Sequence, residues 1–147
     1  MKWSTNTQNM VKKASKRLWI IRRLKQLGAS TNDLVDVYTK QVRSILEYGS
    51  PVWNSSLTQQ ECLDIERVQK LFLHIIIGKE YESYDNALKL TGLNRLSERR
   101  EKLCKTFALK TQKNPKHSHW FVNKTKVVNT RSQQKFEAPN FRHERFR

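Results

Sequence analysis

The sequence predicts an all-α fold: a small bundle of about five helices over residues 1–113, followed by a basic tail over 114–147 that reads as extended or disordered. Three observations predict it. Apolar residues recur at helical spacing through most of the first 113 positions, glycines and capping residues punctuate those runs, and from Asn114 onward the periodicity stops.

The first helix is expected from about Thr7 to Leu27, a stretch without Gly or Pro in which Val11, Ala14, Leu18 and Ile21 fall at helical spacing, with Gly28 ending it. Ser30 offers an N-cap oxygen to a second helix reaching about Tyr48, with Leu34, Tyr38, Val42 and Ile45 along one face. The stretch Tyr48 to Trp53 reads as a turn, because Pro51 lacks an amide hydrogen and disfavours helical geometry at Ser50.

Thr58-Gln59-Gln60-Glu61 is a capping box that opens a third helix, directing Cys62, Ile65, Val68, Phe72, Ile75 and Ile76 inward and closing at Gly78. A short fourth helix is expected from about Tyr84 to Leu90, ending near Gly92. A fifth, capped by Ser97, runs to about Lys113 with Leu96, Leu103, Cys104 and Phe107 inward. The tail holds two prolines, scattered cations and isolated aromatics with neither helical nor strand periodicity.

The 29 Lys and Arg against 13 Asp and Glu leave a net charge of +16, a field that draws in polyanions before any specific contact forms. Residues 1–57 hold 10 basic and 3 acidic side chains, 58–113 hold 11 and 8, and 114–147 hold 8 and 2, so the cationic parts are the two ends. The expected partner is a phosphate backbone: RNA, DNA or an RNA–DNA hybrid. A sticky fragment of a larger protein and a surface for anionic lipid are the alternatives.

On the first helix Lys12, Lys16, Trp19 and Arg23 lie at i, i+4, i+7 and i+11, three cations and an indole along one strip. Cations neutralise phosphates, and an aromatic face beside them can stack on an unpaired base. The strip could equally be a solvated face with Trp19 packed on a neighbour. Seven cations in the fourteen residues from Lys12 to Lys25, among them Lys13 and Arg17, favour binding, since their mutual repulsion is relieved by phosphate. Arg99, Lys102, Lys110 and Lys113 form a second candidate surface opposite the apolar stripe of the fifth helix.

Catalysis is not expected. Asp33, Asp36, Asp64 and Asp85 contain no adjacent pair of the kind a two-metal polymerase needs, and the four glycines stand alone rather than in a phosphate-cradling loop. His117 and His119 have no thiolate or carboxylate at ligand spacing, so neither metal nor cofactor is expected. His74 reads as a packed or edge histidine. Cys62 and Cys104 form no CxxC pair and read as buried thiols in a reducing, intracellular compartment, nucleus or cytoplasm. No run approaches the ~18 apolar residues of a membrane span.

Several blocks resemble the carboxy-terminal region of non-LTR retrotransposon reverse transcriptases of the jockey-like and LINE type. The opening Lys2-Trp3-Ser4-Thr5-Asn6 resembles the end of an L-x-W-x-x-H-I segment that closes the polymerase palm, although Asn6 and Asn9 stand where its histidine is sought. Val42-Arg43-Ser44-Ile45-Leu46-Glu47-Tyr48, followed by Gly49 to Trp53, is similar to R-S-x-L-E-Y-x-x-x-V-W. Leu63 to Lys70 with Ile75-Ile76-Ile77-Gly78 is similar to L-E-x-x-Q-x-x-x-x-x-I-x-G, and Leu93 to Arg100 to L-x-x-L-x-x-R-R.

The resemblance covers most of the chain and implies a thumb-like and post-thumb element that grips template and primer. The chemistry would then belong to a palm absent from this sequence, which becomes an expected partner. A transposon remnant without present function is one alternative. A stand-alone helix-turn-helix protein is another, though its second helix would offer only Asn32, Lys40, Gln41 and Arg43 as base readers.

Overall fold

The computed structural model describes residues 3–120, and among them every regular element is helical. The chain divides after Lys105 into two units, and the first contains the hydrophobic core.

Helix α1 (Ser4–Gln26) begins three residues before the expected start and buries Thr7, Met10, Ala14, Leu18 and Ile21 on one face. Its end is a Schellman motif: Gly28 at φ 85° lets Ala29 donate to the Leu24 carbonyl at 3.1 Å and Gly28 to that of Lys25 at 3.0 Å. Ser30 then caps α2 (Thr31–Val37), its hydroxyl accepting the Asp33 amide at 3.2 Å.

The second helix is not regular throughout. Tyr38–Arg43 is π-helical and leads into α3 (Ser44–Glu47). Leu34, Tyr38, Val42 and Leu46 are all buried and spaced four apart. On a helix of 3.6 residues per turn that spacing drifts around the cylinder, and the wider π turns absorb the drift. Leu46 therefore takes the core position expected of Ile45, which is half-buried.

Ser50 to Trp53, expected as a turn, is the one-turn helix α4 (Ser50–Trp53) with Pro51 in its first turn, where a missing amide hydrogen costs nothing. Trp53 is buried and donates its indole N–H to the Tyr48 carbonyl at 2.9 Å, tying the turn together. A 3₁₀ turn, Asn54–Ser56, follows.

Helix α5 (Gln59–Ile77) opens on the expected capping box. Thr58 accepts the Glu61 amide and Glu61 accepts that of Thr58 at 2.8 Å. It packs against α1 and buries Ile65, Val68, Phe72 and Ile76 in the core, where Phe72 stacks on Tyr38 with ring centroids 3.9 Å apart. Cys62 and Ile75 are only half-buried, whereas Leu73, Gln69 and Glu66 are buried. Gly78 has the expected positive φ of 68°, yet its ψ of −124° lies outside the left-handed helical well, and a 3₁₀ turn follows.

Helix α6 (Tyr84–Thr91) is capped by the Ser83 hydroxyl and adds Ala87 and Leu88 to the core. Helix α7 (Leu96–Lys113) starts one residue before its expected cap. Ser97 caps nothing. The Glu66 carboxylate instead accepts the amides of Leu96 at 3.1 Å and Ser97 at 3.3 Å, putting a negative charge on the positive end of the helix dipole.

Leu96 is buried as expected, but Leu103 and Phe107 are exposed, and Cys104, like Cys62, is a half-buried free thiol. In the second unit Asn114 to Trp120 is a run of tight turns in which His117 packs on the Trp120 ring at 4.4 Å. The reading of 121–147 as extended or disordered lies outside the described residues.

Candidate nucleic-acid interface

The first feature of the site is what α1 lacks. Its 23 residues include seven cations and no carboxylate. Lys12, Lys16, Trp19 and Arg23 lie on the side opposite the buried Ala14, Leu18 and Ile21, and all four are exposed, Trp19 at 62%. Among the described residues no ion-pair partner meets Lys12, Lys13, Lys16 or Arg22, while Arg23 donates only to Gln26. The strip is a positive surface without an ion pair among the described residues, with an aromatic plane in its middle.

Two cations of the same helix serve the fold. Arg17 is half-buried, and its Nη1 donates at 3.0 Å to both the backbone carbonyl and the side-chain oxygen of Gln41, clamping α1 to the π-helical turn. Lys25 donates to the carbonyls of Ile75 at 2.6 Å and Ile76 at 3.0 Å, placing an ammonium on the negative end of α5.

The second expected surface is depleted by the fold. Arg99 grips Glu47, whose carboxylate also lies 3.9 Å from Arg43, so this guanidinium is not free for phosphate. The hydrogen bonds to Glu47 hold the Arg99 guanidinium above its ordinary range. Burial, and then the charge of Arg99, push Arg43 below its own. Arg100 is buried and donates to Asn54 Oδ1 at 3.0 Å. Lys102 is exposed on the first unit, and Lys110 and Lys113 are exposed on the second.

Two grooves flank α1 within the first unit. One, of about 500 Å³, lies along the first half of α5, and Glu61 and Asp64 line it together with Lys12 and Arg67. The other, of about 530 Å³, lies against α3 and is lined by Asn6, Asn9, Lys13, Ser44, Ile45 and Tyr48 among others. Tyr48 is not among the site residues expected from the sequence. Its signal was an aromatic residue next to a glycine at a helix end, where the chain turns and a side chain is left outside the core.

A third polar cluster is internal. Tyr38 donates to Gln69 Oε1 at 2.9 Å, Gln69 Nε2 donates to the Tyr84 hydroxyl and to the Asn94 carbonyl at 3.0 Å each, and Tyr84 donates to Glu66. Burial pushes both tyrosines above the ordinary phenol range, and the Glu66 carboxylate raises Tyr84 further. The cluster joins the π-helical turn, α5, α6 and the beginning of α7. Its carboxylate is occupied on both oxygens by fold contacts, which suits a structural tie rather than acid–base work.

Among the described residues no three His, Cys, Asp or Glu side chains converge on a common point, and no helix is long and apolar enough to cross a membrane. His74 is exposed and stacks on Tyr81 with ring centroids 3.6 Å apart, an edge histidine within the packed-or-edge expectation. No protein-family model, curated protein or solved structure matches the chain.

Proposed function

We propose that this chain grips nucleic acid through phosphate contacts, as the thumb-like and post-thumb part of a non-LTR retrotransposon reverse transcriptase, and has no catalytic centre of its own. The observation that carries the binding half of this reading is α1: a helix of seven cations without a carboxylate, its open strip facing away from the core. Each cation there that meets a phosphate releases counterions, which makes such a surface effective at low salt. Lys12, Lys16 and Arg23 neutralise phosphates, and Trp19 offers a face to an unpaired base.

The polymerase half rests on the sequence blocks. They fall at joints of the fold: the Val42 to Trp53 block includes Leu46, Glu47 and Trp53, the α5 block includes Ile65, Val68 and Gln69, and the Leu93 to Arg100 block includes Leu96 and Arg99. Residues at joints are those a shared fold would keep. The palm that the resemblance implies is the expected protein partner, and RNA, DNA or their hybrid the expected ligand.

Of the four base readers of the helix-turn-helix alternative, Asn32 is exposed, Lys40 pairs with Asp36 at 2.9 Å on the surface, Gln41 is held by Arg17, and Arg43 is half-buried beside Glu47.

The test is fluorescence anisotropy of the full chain with labelled single-stranded, duplex and hybrid oligonucleotides, together with a primer-extension assay. Binding to at least one of them that weakens steeply with salt, without incorporation, is the expected result. Absence of binding at low salt would overturn the binding half. Template-dependent incorporation by the pure chain would overturn the non-catalytic half. An encoding DNA with no in-frame upstream polymerase bearing paired aspartates would count against the reverse-transcriptase origin.

A further inference from the structure

The two grooves beside α1 differ in charge. A phosphate entering the α5 groove meets Glu61 and Asp64, which repel it and offset Lys12 and Arg67. The α3 groove has Lys13 and no carboxylate in its lining. The nearest acid along the chain, Glu47, has both oxygens held by Arg99 and is largely buried.

The α3 groove also has the parts that a nucleobase needs. Tyr48 is 83% exposed, and its ring and hydroxyl have no partner among the described residues, although its backbone carbonyl is used by Trp53. Ile45 adds apolar wall beside it. Asn6 and Asn9, one helical turn apart on α1, are exposed, and their amides each offer donors and an acceptor with no partner among the described residues. A volume of about 530 Å³ is within the usual range for small-ligand sites.

Resting on the nucleic-acid reading above, we propose that this groove takes one unstacked nucleotide of a single strand, its base on the Tyr48 ring, the base edge toward Asn6 and Asn9, and its phosphate on Lys13. Lys13 is one residue from Lys12 and three from Lys16, so a strand entering the groove continues onto the open strip of α1. A base within a duplex is covered on both faces by its neighbours and cannot use Tyr48. The groove therefore selects single strands, whereas the cations of the strip are indifferent to strandedness.

The experiment measures anisotropy of the full chain with a labelled single-stranded oligo-dT and a duplex of equal length, for the wild type, Tyr48→Ala, Tyr48→Leu, Tyr48→Trp and Lys13→Ala. Loss of one stacking partner should weaken single-strand binding about 5- to 150-fold. Tyr48→Ala and Tyr48→Leu should show it with duplex binding unchanged, Tyr48→Trp should restore it, and Lys13→Ala should lower the single-strand salt slope by about 0.7. Tyr48→Leu keeps apolar bulk at the turn, and unchanged duplex binding by either variant reports an intact fold. If both variants bind the single strand like the wild type while loss of the strip cations abolishes binding, the groove proposal is overturned and the phosphate reading survives. If the wild type binds neither oligonucleotide, both fall.

Discussion

The guanidinium of Arg99 holds both carboxylate oxygens of Glu47, 52 positions earlier in the chain, with the Nη2 to Oε2 contact at 3.0 Å. This two-pronged contact fastens the beginning of α7 to the end of α3. Arg99→Ala should lower stability by about 1–2 kcal/mol, the worth of charge-assisted hydrogen bonds discounted for a guanidinium that water still reaches. Urea denaturation measures it. The salt slope of nucleic-acid binding should stay unchanged, because this cation is already neutralised.

Lys25 separates fold from binding on α1 itself. Lys25→Met keeps the aliphatic stem but removes the ammonium from the Ile75 and Ile76 carbonyls, and should cost about 0.5–1.5 kcal/mol. Binding should be nearly unaffected. A large drop in the salt slope with no loss of stability would reassign Lys25 to the substrate.

Tyr38 and Tyr84 make the fold sensitive to alkali. Both have folded values raised above the ordinary phenol pKa by burial, so the stability they confer is complete below about pH 10 and is lost as pH rises further. Above that point the unfolded chain releases protons that the folded chain keeps, which favours unfolding. Tyr84→Phe should flatten the alkaline decline in urea midpoint, and an unchanged decline would show that Tyr84 does not drive it.

Trp19 is 62% exposed, so Trp19→Ala should leave the thermal midpoint within a degree or two. Single-strand affinity should fall about 5- to 150-fold and duplex affinity much less, as read by anisotropy. Equal losses for both would point to a general packing role.

Much of the bundle was legible because its signals are local. The Ser30 cap, the Thr58 and Glu61 capping box and the Gly28 stop are each set within a few residues, and each forms. What was not legible depends on distant partners. Ser97 lost its capping role to Glu66, 31 residues away, and Ile45 lost its core position to Leu46 because a π turn rotated the register.

The same division runs through the candidate site. The spacing of Lys12, Lys16, Trp19 and Arg23 sufficed to put them on one strip, since a single helix fixes their relation. Nothing local distinguished Arg17, Lys25 and Arg99 from those open cations. Their partners, Gln41, the end of α5 and Glu47, are met only when the helices pack. Tyr48 was missed for the converse reason, its side chain being left without a partner among the described residues.

The most direct test of the account is the salt dependence of nucleic-acid affinity for the triple variant Lys12→Ala, Lys16→Ala and Arg23→Ala against the wild type. Each phosphate contact contributes roughly 0.7–0.9 to the slope of log affinity against log salt, so the variant's slope should be shallower by about two to three units. Arg99→Ala, run beside it, should leave the slope as it is. An unchanged slope in the triple variant would contradict the account, showing that the open strip of α1 faces something other than a phosphate backbone.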